Sequence, residues 1–344
     1  MNSTKIQWLR LSGATRIGTR SFIELLNVFQ TAENAIDYLS ELNKRGCTKG
    51  KINIPSYSEV EREMEYYDKI GAHVLIANEK NYPKMLKEIS NYPPVLVCRG
   101  RLELLLSNKI AVVGSRNASS NGLNFAKTIS RDLGAAGYVV VSGLAKGIDA
   151  AAHSGALKFG TIGVISCGIN IVYPKENQKL HEELYERGLV MTEYRLDQHV
   201  MPEHFPQRNG IISGLAYGTL VIEAAKRSGT LITAHYALEQ NREIFAVPGS
   251  PFDVRCEGTN ELIKQGAILV QRSQDILSEL SRIVTSQHEL FKEKISEVSC
   301  SVRRRLLSED EMKKYKEELL SSLSFSPTHI EDVMAVTNIP RHIF

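Results

Sequence analysis

From about residue 70 the apolar positions of this chain gather into short, nearly unbroken runs. They fall at His73–Ala77, Pro94–Arg99, Ile110–Val113, Tyr138–Val141, Ile162–Ser166, Leu189–Thr192, Thr219–Ile222, Ile244–Val247 and Ala267–Val270. Runs of this length without apolar–polar alternation suit strands buried on both faces of a parallel sheet. Stretches of helical spacing and crossover length, such as Gly122–Ala136 and Asp149–Phe159, lie between them. This alternation predicts an α/β fold over 71–280, a Rossmann-like, doubly wound and mostly parallel sheet.

The flanks have a different period. Residues 1–70 read as helical, with an apolar periodic stretch at Ile23–Phe29 and a Gly-, Lys-, Ser- and Pro-rich loop from Lys44 to Ser58. Gly13 and Gly18 bracket a short turn before a helix. That spacing suits either a helix-hairpin-helix (SAM-like) domain, whose exposed N–H groups can meet a phosphate, or a plain helical turn. After the sheet, 281–308 read as a polar linker carrying the basic triplet Arg303–Arg305. Residues 309–344 show helix, turn and the start of another helix, a short partial winged helix.

Composition narrows the picture less than pattern does. With 42 Lys and Arg against 39 Asp and Glu the net charge is only +3, so any nucleic-acid surface must concentrate its cations on one face. Five dispersed cysteines without CxxC spacing suggest reduced thiols, no disulfide framework and no metal site. No run approaches the roughly 18 apolar residues of a membrane span, and the first residues lack the apolar stretch of a signal peptide. A soluble, cytoplasmic protein is expected.

The chemistry is concentrated where the strands end. The first core strand runs into Gly114-Ser115-Arg116 and the next helix begins near Gly122. Free N–H groups at that turn favour anionic oxygen, and Arg116 adds a bidentate phosphate donor, unless it makes a local ion pair. The spacing is not GxGxxG, so no dinucleotide fingerprint is present. Ser142, Gly143 and Gly147 follow the next strand, and Ser228, Gly229 and Thr230 open a later helix at the same end of the sheet. Together these turns predict a shared anion-binding rim, with Glu223 placed to orient the donors of the last. Asp149 is placed to cap the helix after Gly147, and His153 to pack or bond locally. Lys175 either meets a phosphate on this rim or is simply solvated. Phe205 stands between Pro202 and Pro206 where no period calls for it, so it reads as a loop residue. Beside Arg208 and Asn209 it is either an aromatic that stacks a base or a hydrophobic plug under the loop. No catalytic acid–base pair is apparent.

Taken in order, Val113–Arg116, Ser142–Asp149, Phe205-Pro-Gln-Arg-Asn209, Ile211–Leu215, Glu223-Ala224, Ser228–Ala234 and Ala246–Gly249 resemble the DprA/Smf family (DNA processing protein A) from about residue 70 to 280. The N-terminal region resembles the family's helix-hairpin-helix-like domain, and the tail its variable winged helix. The resemblance implies a homodimer that binds single-stranded DNA, protects it during natural transformation and loads the RecA recombinase, with no cofactor and no turnover. It implies DNA contact at Arg116 and around Phe205. Two departures stand out: Gly210 occupies the place of the family's usual arginine, and the winged helix is short. The competing expectation is a nucleotide-monophosphate phosphoribohydrolase-like enzyme on a similar fold. Its PGGxGTxxE pattern fits poorly, because Glu223 precedes the glycine turn here.

Overall fold

In a computed structural model described over residues 2–46, 50–283 and 315–316, a single nine-stranded sheet organises the chain. The strands are β1 (Ala72–Ile76), β2 (Val95–Gly100), β3 (Lys109–Gly114), β4 (Val139–Ser142), β5 (Thr161–Val164), β6 (Leu189–Thr192), β7 (Gly218–Ile222), β8 (Glu243–Ala246) and β9 (Ile268–Leu269). Their order is β1-β2-β6-β5-β4-β3-β7-β8-β9. From β6 to β9 every pairing is parallel, and all residues of β3, β4, β5, β6 and β7 are buried. The unbroken apolar runs follow from that double burial. The pairings β1–β2 and β2–β6 are antiparallel, which apolar runs alone do not distinguish.

Within the parallel core the chain enters at β3, winds outward through β4, β5 and β6, then returns to β7 on the other side of β3. The order therefore reverses between β3 and β7, where a doubly wound sheet leaves a crevice at its carboxyl edge. Helices α6 (Ser120–Ala135), α7 (Ile148–Ala156), α8 (Gln178–Arg187), α9 (His204–Gly214), α10 (Gly229–Glu239) and α11 (Glu257–Lys264) connect these strands. A short α5 (Lys84–Lys87) lies between β1 and β2. Ser119 caps α6 through Gly122 N–H at 3.0 Å, and Ser228 caps α10 through Thr230 N–H at 3.2 Å, each satisfying an otherwise unpaired donor.

Four helices precede the sheet: α1 (Asn2–Ser12), α2 (Thr19–Phe29), α3 (Ala32–Lys44) and α4 (Tyr57–Lys69). Trp8 and Phe22 meet at 5.2 Å between ring centroids and join α1 to α2. Thr31 caps α3, and Ser56 with Glu59 forms a capping box on α4. The helices share one apolar core with the sheet's β1 edge, through residues such as Leu9, Val60, Tyr67 and Val74. Lys5 Nζ donates to the Val74 carbonyl at 2.6 Å. Arg195, beyond β6, pairs with the buried Glu63 of α4, which also accepts from Tyr67 Oη at 2.6 Å. No helix among the described residues is long and apolar enough to cross a membrane. Apart from residues 315–316, the expected winged helix lies outside the described residues, as does most of the expected linker.

Candidate nucleic-acid interface

The parallel core brings the carboxyl ends of β3, β4, β5 and β7 to one edge. Gly114-Ser115-Arg116 leaves β3 there, with Ser115 carbonyl accepting from Ile148 N–H at 3.2 Å and Asn117 N–H donating to Ser115 Oγ at 3.1 Å. From the far side of the switch point, Thr230 Oγ1 donates to Gly114 carbonyl at 3.0 Å. Glu223, in left-handed conformation at φ 52°, crosses the same gap, accepting Ser119 N–H at 2.8 Å and the Ser119 hydroxyl. Glu223 thus holds the start of α6. It was expected to orient the Ser228–Thr230 turn, but that turn is instead closed by the Ser228 and Thr230 hydroxyls themselves.

The β4 turn is built around an internal carboxylate. Gly147 has φ 77°, and a side chain there would also collide with the Ser115 and Arg116 backbone, so only glycine fits. Asp149 sits in the first turn of α7 and accepts Gly143 N–H at 3.2 Å. It closes the loop behind it, a different task from the helix cap that its position suggested. Ser142 points inward, donating to Val112 carbonyl at 2.6 Å, so its hydroxyl serves the sheet and is not on the rim. His153 is fully buried and bonds Thr161 Oγ1 at 2.8 Å, a packing role.

Phe205 and Arg208 lie on α9, not on a loop. Pro206 is tolerated because it falls in the first helical turn, where an N–H has no intrahelical partner. The helix showed no amphipathic stripe because it is covered nearly all round: His204, Arg208, Gly210, Ile211, Ile212, Ser213 and Gly214 are all buried. His204 anchors it, with Nδ1 at 3.2 Å from Ser166 carbonyl and its ring stacked on Tyr194 at 4.1 Å.

From this anchor Phe205 reaches the rim. Its half-buried ring lies 4.9 Å from the Arg116 guanidinium carbon and 6.1 Å from the exposed Tyr173 ring. Arg116 is exposed, and its contact is with the Phe205 ring, the alternative to the local ion pair that the sequence left open. Arg208 lies behind them, its Nη1 4.0 Å from an Asp149 oxygen with both groups buried. A Cβ on Gly143 would overlap the Arg208 guanidinium, so the loop accepts this arginine only with glycine there. Burial pushes the Asp149 carboxyl up and the Arg208 guanidinium down, and the attraction between them works against both shifts. Arg116, Gly143, Ala145, Lys146, Ile165, Ser166, Tyr173, Pro174, Phe205 and Arg208 line an open cavity of ≈ 70 Å³.

Not every expected residue converges here. Lys175 is exposed at the start of a 3-10 turn, directly after Pro174 on the cavity wall. Asn209 is half-buried on α9, and its carbonyl accepts from Ser213 Oγ at 3.3 Å. Gly229 is open to solvent around its Cα. Gly210 turns away from the cavity: Gln240 Nε2 donates to its carbonyl at 3.0 Å, and a Cβ would touch Tyr236 and Gln240 of α10 and its cap. It lines a second, larger cleft of ≈ 1140 Å³ between the Gly13–Arg20 hairpin and the α9–α10 face. Residues two apart on a helix lie about 200° apart, so an arginine at 210 would not extend the rim beside Arg208 as expected. Sequence reasoning passed over Tyr173 as a site residue. Its signal was an aromatic residue directly before a proline, as with Phe205 and Pro206.

A family model described as DNA recombination-mediator protein A matches residues 73–281, and one described as the DprA-like N-terminal HHH domain matches residues 2–65. DNA processing protein DprA of Bacillus subtilis is 39% identical over 227 residues, 65% of this chain and 76% of that protein. Protein Smf of Escherichia coli is 41% identical over 280 residues, 79% of this chain and 74% of that protein. The crystal structure of DNA processing protein A from Streptococcus pneumoniae superposes with a TM-score of 0.67 at 34% identity, covering 81% of this chain and 98% of that one. A structure of the Helicobacter pylori protein, described for its single-stranded DNA binding mode, superposes at 0.57 and 29% identity, covering 61% and 96%. The chain belongs to the DNA recombination-mediator protein A family, DprA/Smf.

Proposed function

We propose that this protein binds single-stranded DNA along the carboxyl edge of its sheet, protects it, and hands it to the RecA recombinase during uptake and processing of DNA. The observation that carries this reading is the Arg116–Phe205–Tyr173 cluster over the β3, β4 and β5 ends. A guanidinium that holds phosphate beside aromatic faces that accept unpaired bases is the combination single strands require. The likeness to a relative described by its single-stranded DNA binding supports the same substrate. Ser115, Arg116, Lys175, Phe205, Arg208 and Asn209 are assigned to the strand, and the Gly114, Gly143, Gly147 and Ser228–Thr230 turns to shaping the rim.

The protein acts by binding, without a cofactor or turnover. Glu223 is engaged by Ser119, and Asp149 by Gly143 and Arg208, so neither carboxylate is free to serve a phosphoribohydrolase. The cavity is also far smaller than the roughly 300 Å³ or more that a drug-sized ligand fills. A cytoplasmic homodimer completes the proposal, with exposed Phe252 and Val254 after β8 and exposed Leu269 on β9 as apolar surface for self-association. Electrophoretic shifts with oligo-dT and with duplex of the same length test the reading. Retention of the single strand is expected. Duplex preference, or release of base from nucleoside monophosphates, would overturn it.

A further inference from the structure

The cavity behind Phe205 has properties that strand binding on the rim leaves unused. Its charged lining is Arg116, Lys146 and Arg208; no carboxylate lines it, and Lys146 is paired with Glu176 beside it. Arg208 is 4% exposed, and its Nε has no hydrogen-bond partner among the described residues. Asp149, its acidic neighbour at 4.0 Å, does not line the cavity and gives an oxygen to Gly143 N–H. A buried guanidinium with an unanswered donor is costly until an anion reaches it.

Size then selects the anion. A volume of ≈ 70 Å³ holds a few water-sized groups, enough for one phosphoryl group and too little for a nucleoside. An internal phosphodiester carries a nucleoside on either side, and both would have to fold in past Arg116, Tyr173 and Phe205. A terminal phosphate has one flank only, and carries close to two negative charges at neutral pH.

We propose that this cavity receives the phosphomonoester at the end of a DNA strand, with Arg208 as its buried partner and Arg116 at its mouth. The proposal rests on the reading that the rim binds single strands, and deepens it: the protein recognises where a strand ends as well as its length. Phe205 and Tyr173 then stack the terminal base outside while its phosphate is held within.

Fluorescence anisotropy on the intact protein tests it, using oligo-dT with a 5′-phosphate, a 3′-phosphate, or hydroxyls at both ends. A phosphate at one of the two ends should tighten binding about tenfold, the scale of a charge-assisted contact. That ratio should fall to about one in Arg208→Gln. If this variant does not fold, Arg208→Gln combined with Asp149→Asn removes both buried charges together and replaces it. Equal affinity of the parent protein for all three oligonucleotides would overturn the proposal, and a ratio that survives loss of Arg208 would remove that residue from it. Thymidine monophosphate competing as well as the phosphorylated strand would assign the cavity to free phosphomonoesters and overturn the strand-end assignment. Failure to bind any oligonucleotide would instead defeat the underlying strand-binding reading.

Discussion

Arg116 and Phe205 touch each other, yet their replacement should leave different signatures. Arg116→Ala is expected to weaken oligo-dT binding by about 1–3 kcal/mol. It should also flatten the slope of log affinity against log salt by about 0.7, the value for one phosphate contact on a single strand. Melting temperature should hardly move, because Arg116 is exposed. Phe205→Ala should cost a similar amount for every base sequence with the salt slope unchanged, since stacking is lost and no phosphate partner is. Titrations at several salt concentrations separate the two, and an early-melting Phe205→Ala would make that ring a packing element. At this scale the motifs were legible where a residue type is rare for its place, as an arginine in a glycine turn is. Ser142 and Asp149 were harder to place. Their hydroxyl and carboxylate find backbone partners within the loop and sheet, a choice set by three-dimensional neighbours and invisible in spacing.

Among the elements, α9 departs most from what its residues suggested. A helix packed on most sides loses the 3.6-residue stripe by which helices are recognised, and Pro206 adds a false loop signal. The strands were plain for the opposite reason, since full burial writes itself as unbroken Val, Ile and Leu. The antiparallel β1 and β2 have the same apolar look, so direction was lost where presence was clear. The orientation of α9 has a testable consequence at position 210. Gly210→Arg should leave the salt slope of single-strand binding at its parent value, because the new side chain enters the cleft shared with Tyr236 and Gln240. Stability should change by less than about 1 kcal/mol, because a Cβ there meets Tyr236 and Gln240 only at ordinary contact distance and the side chain has the cleft to fill; the denaturation midpoint reads this. A slope steeper by about 0.7 would place position 210 against the strand after all.

Across the whole molecule, pH should pull stability in two directions. Burial pushes His153 down to about 3 and lowers His181 too, while it pushes Glu193 up to about 7, against a Tyr194 hydrogen bond that works the other way. As pH falls below the ordinary histidine value near 6.5, the unfolded chain takes up protons that the folded histidines refuse, and stability is lost. Glu193 behaves oppositely: its folded form binds a proton more readily than its unfolded form, so its penalty is full above pH 7 and fades towards pH 4.5. Glu193→Gln should therefore raise stability by about 1–3 kcal/mol at pH 8 and by little at pH 4.5. Thermal melts at the two values check this, and an equal gain at both would detach the effect from titration. Glu193 lines the cleft between the helical hairpin and the sheet, so the same variant reports on how that cleft is solvated.

Glu223 reaches from the end of β7 to Ser119 at the start of α6, and Thr230 ties the opposite turn to Gly114. The two banks of the crevice are thereby stitched together, and the floor of the proposed nucleic-acid site is braced from both sides. A surface that does not yield leaves all the adjustment to the guest. On the proposed reading, a flexible single strand would splay its bases onto Phe205 and Tyr173 at little expense, whereas a duplex would first have to part its own pairs and stacks. On that reading, preference for the unpaired form would need no sensor for it: stiffness on one side and pliancy on the other would suffice.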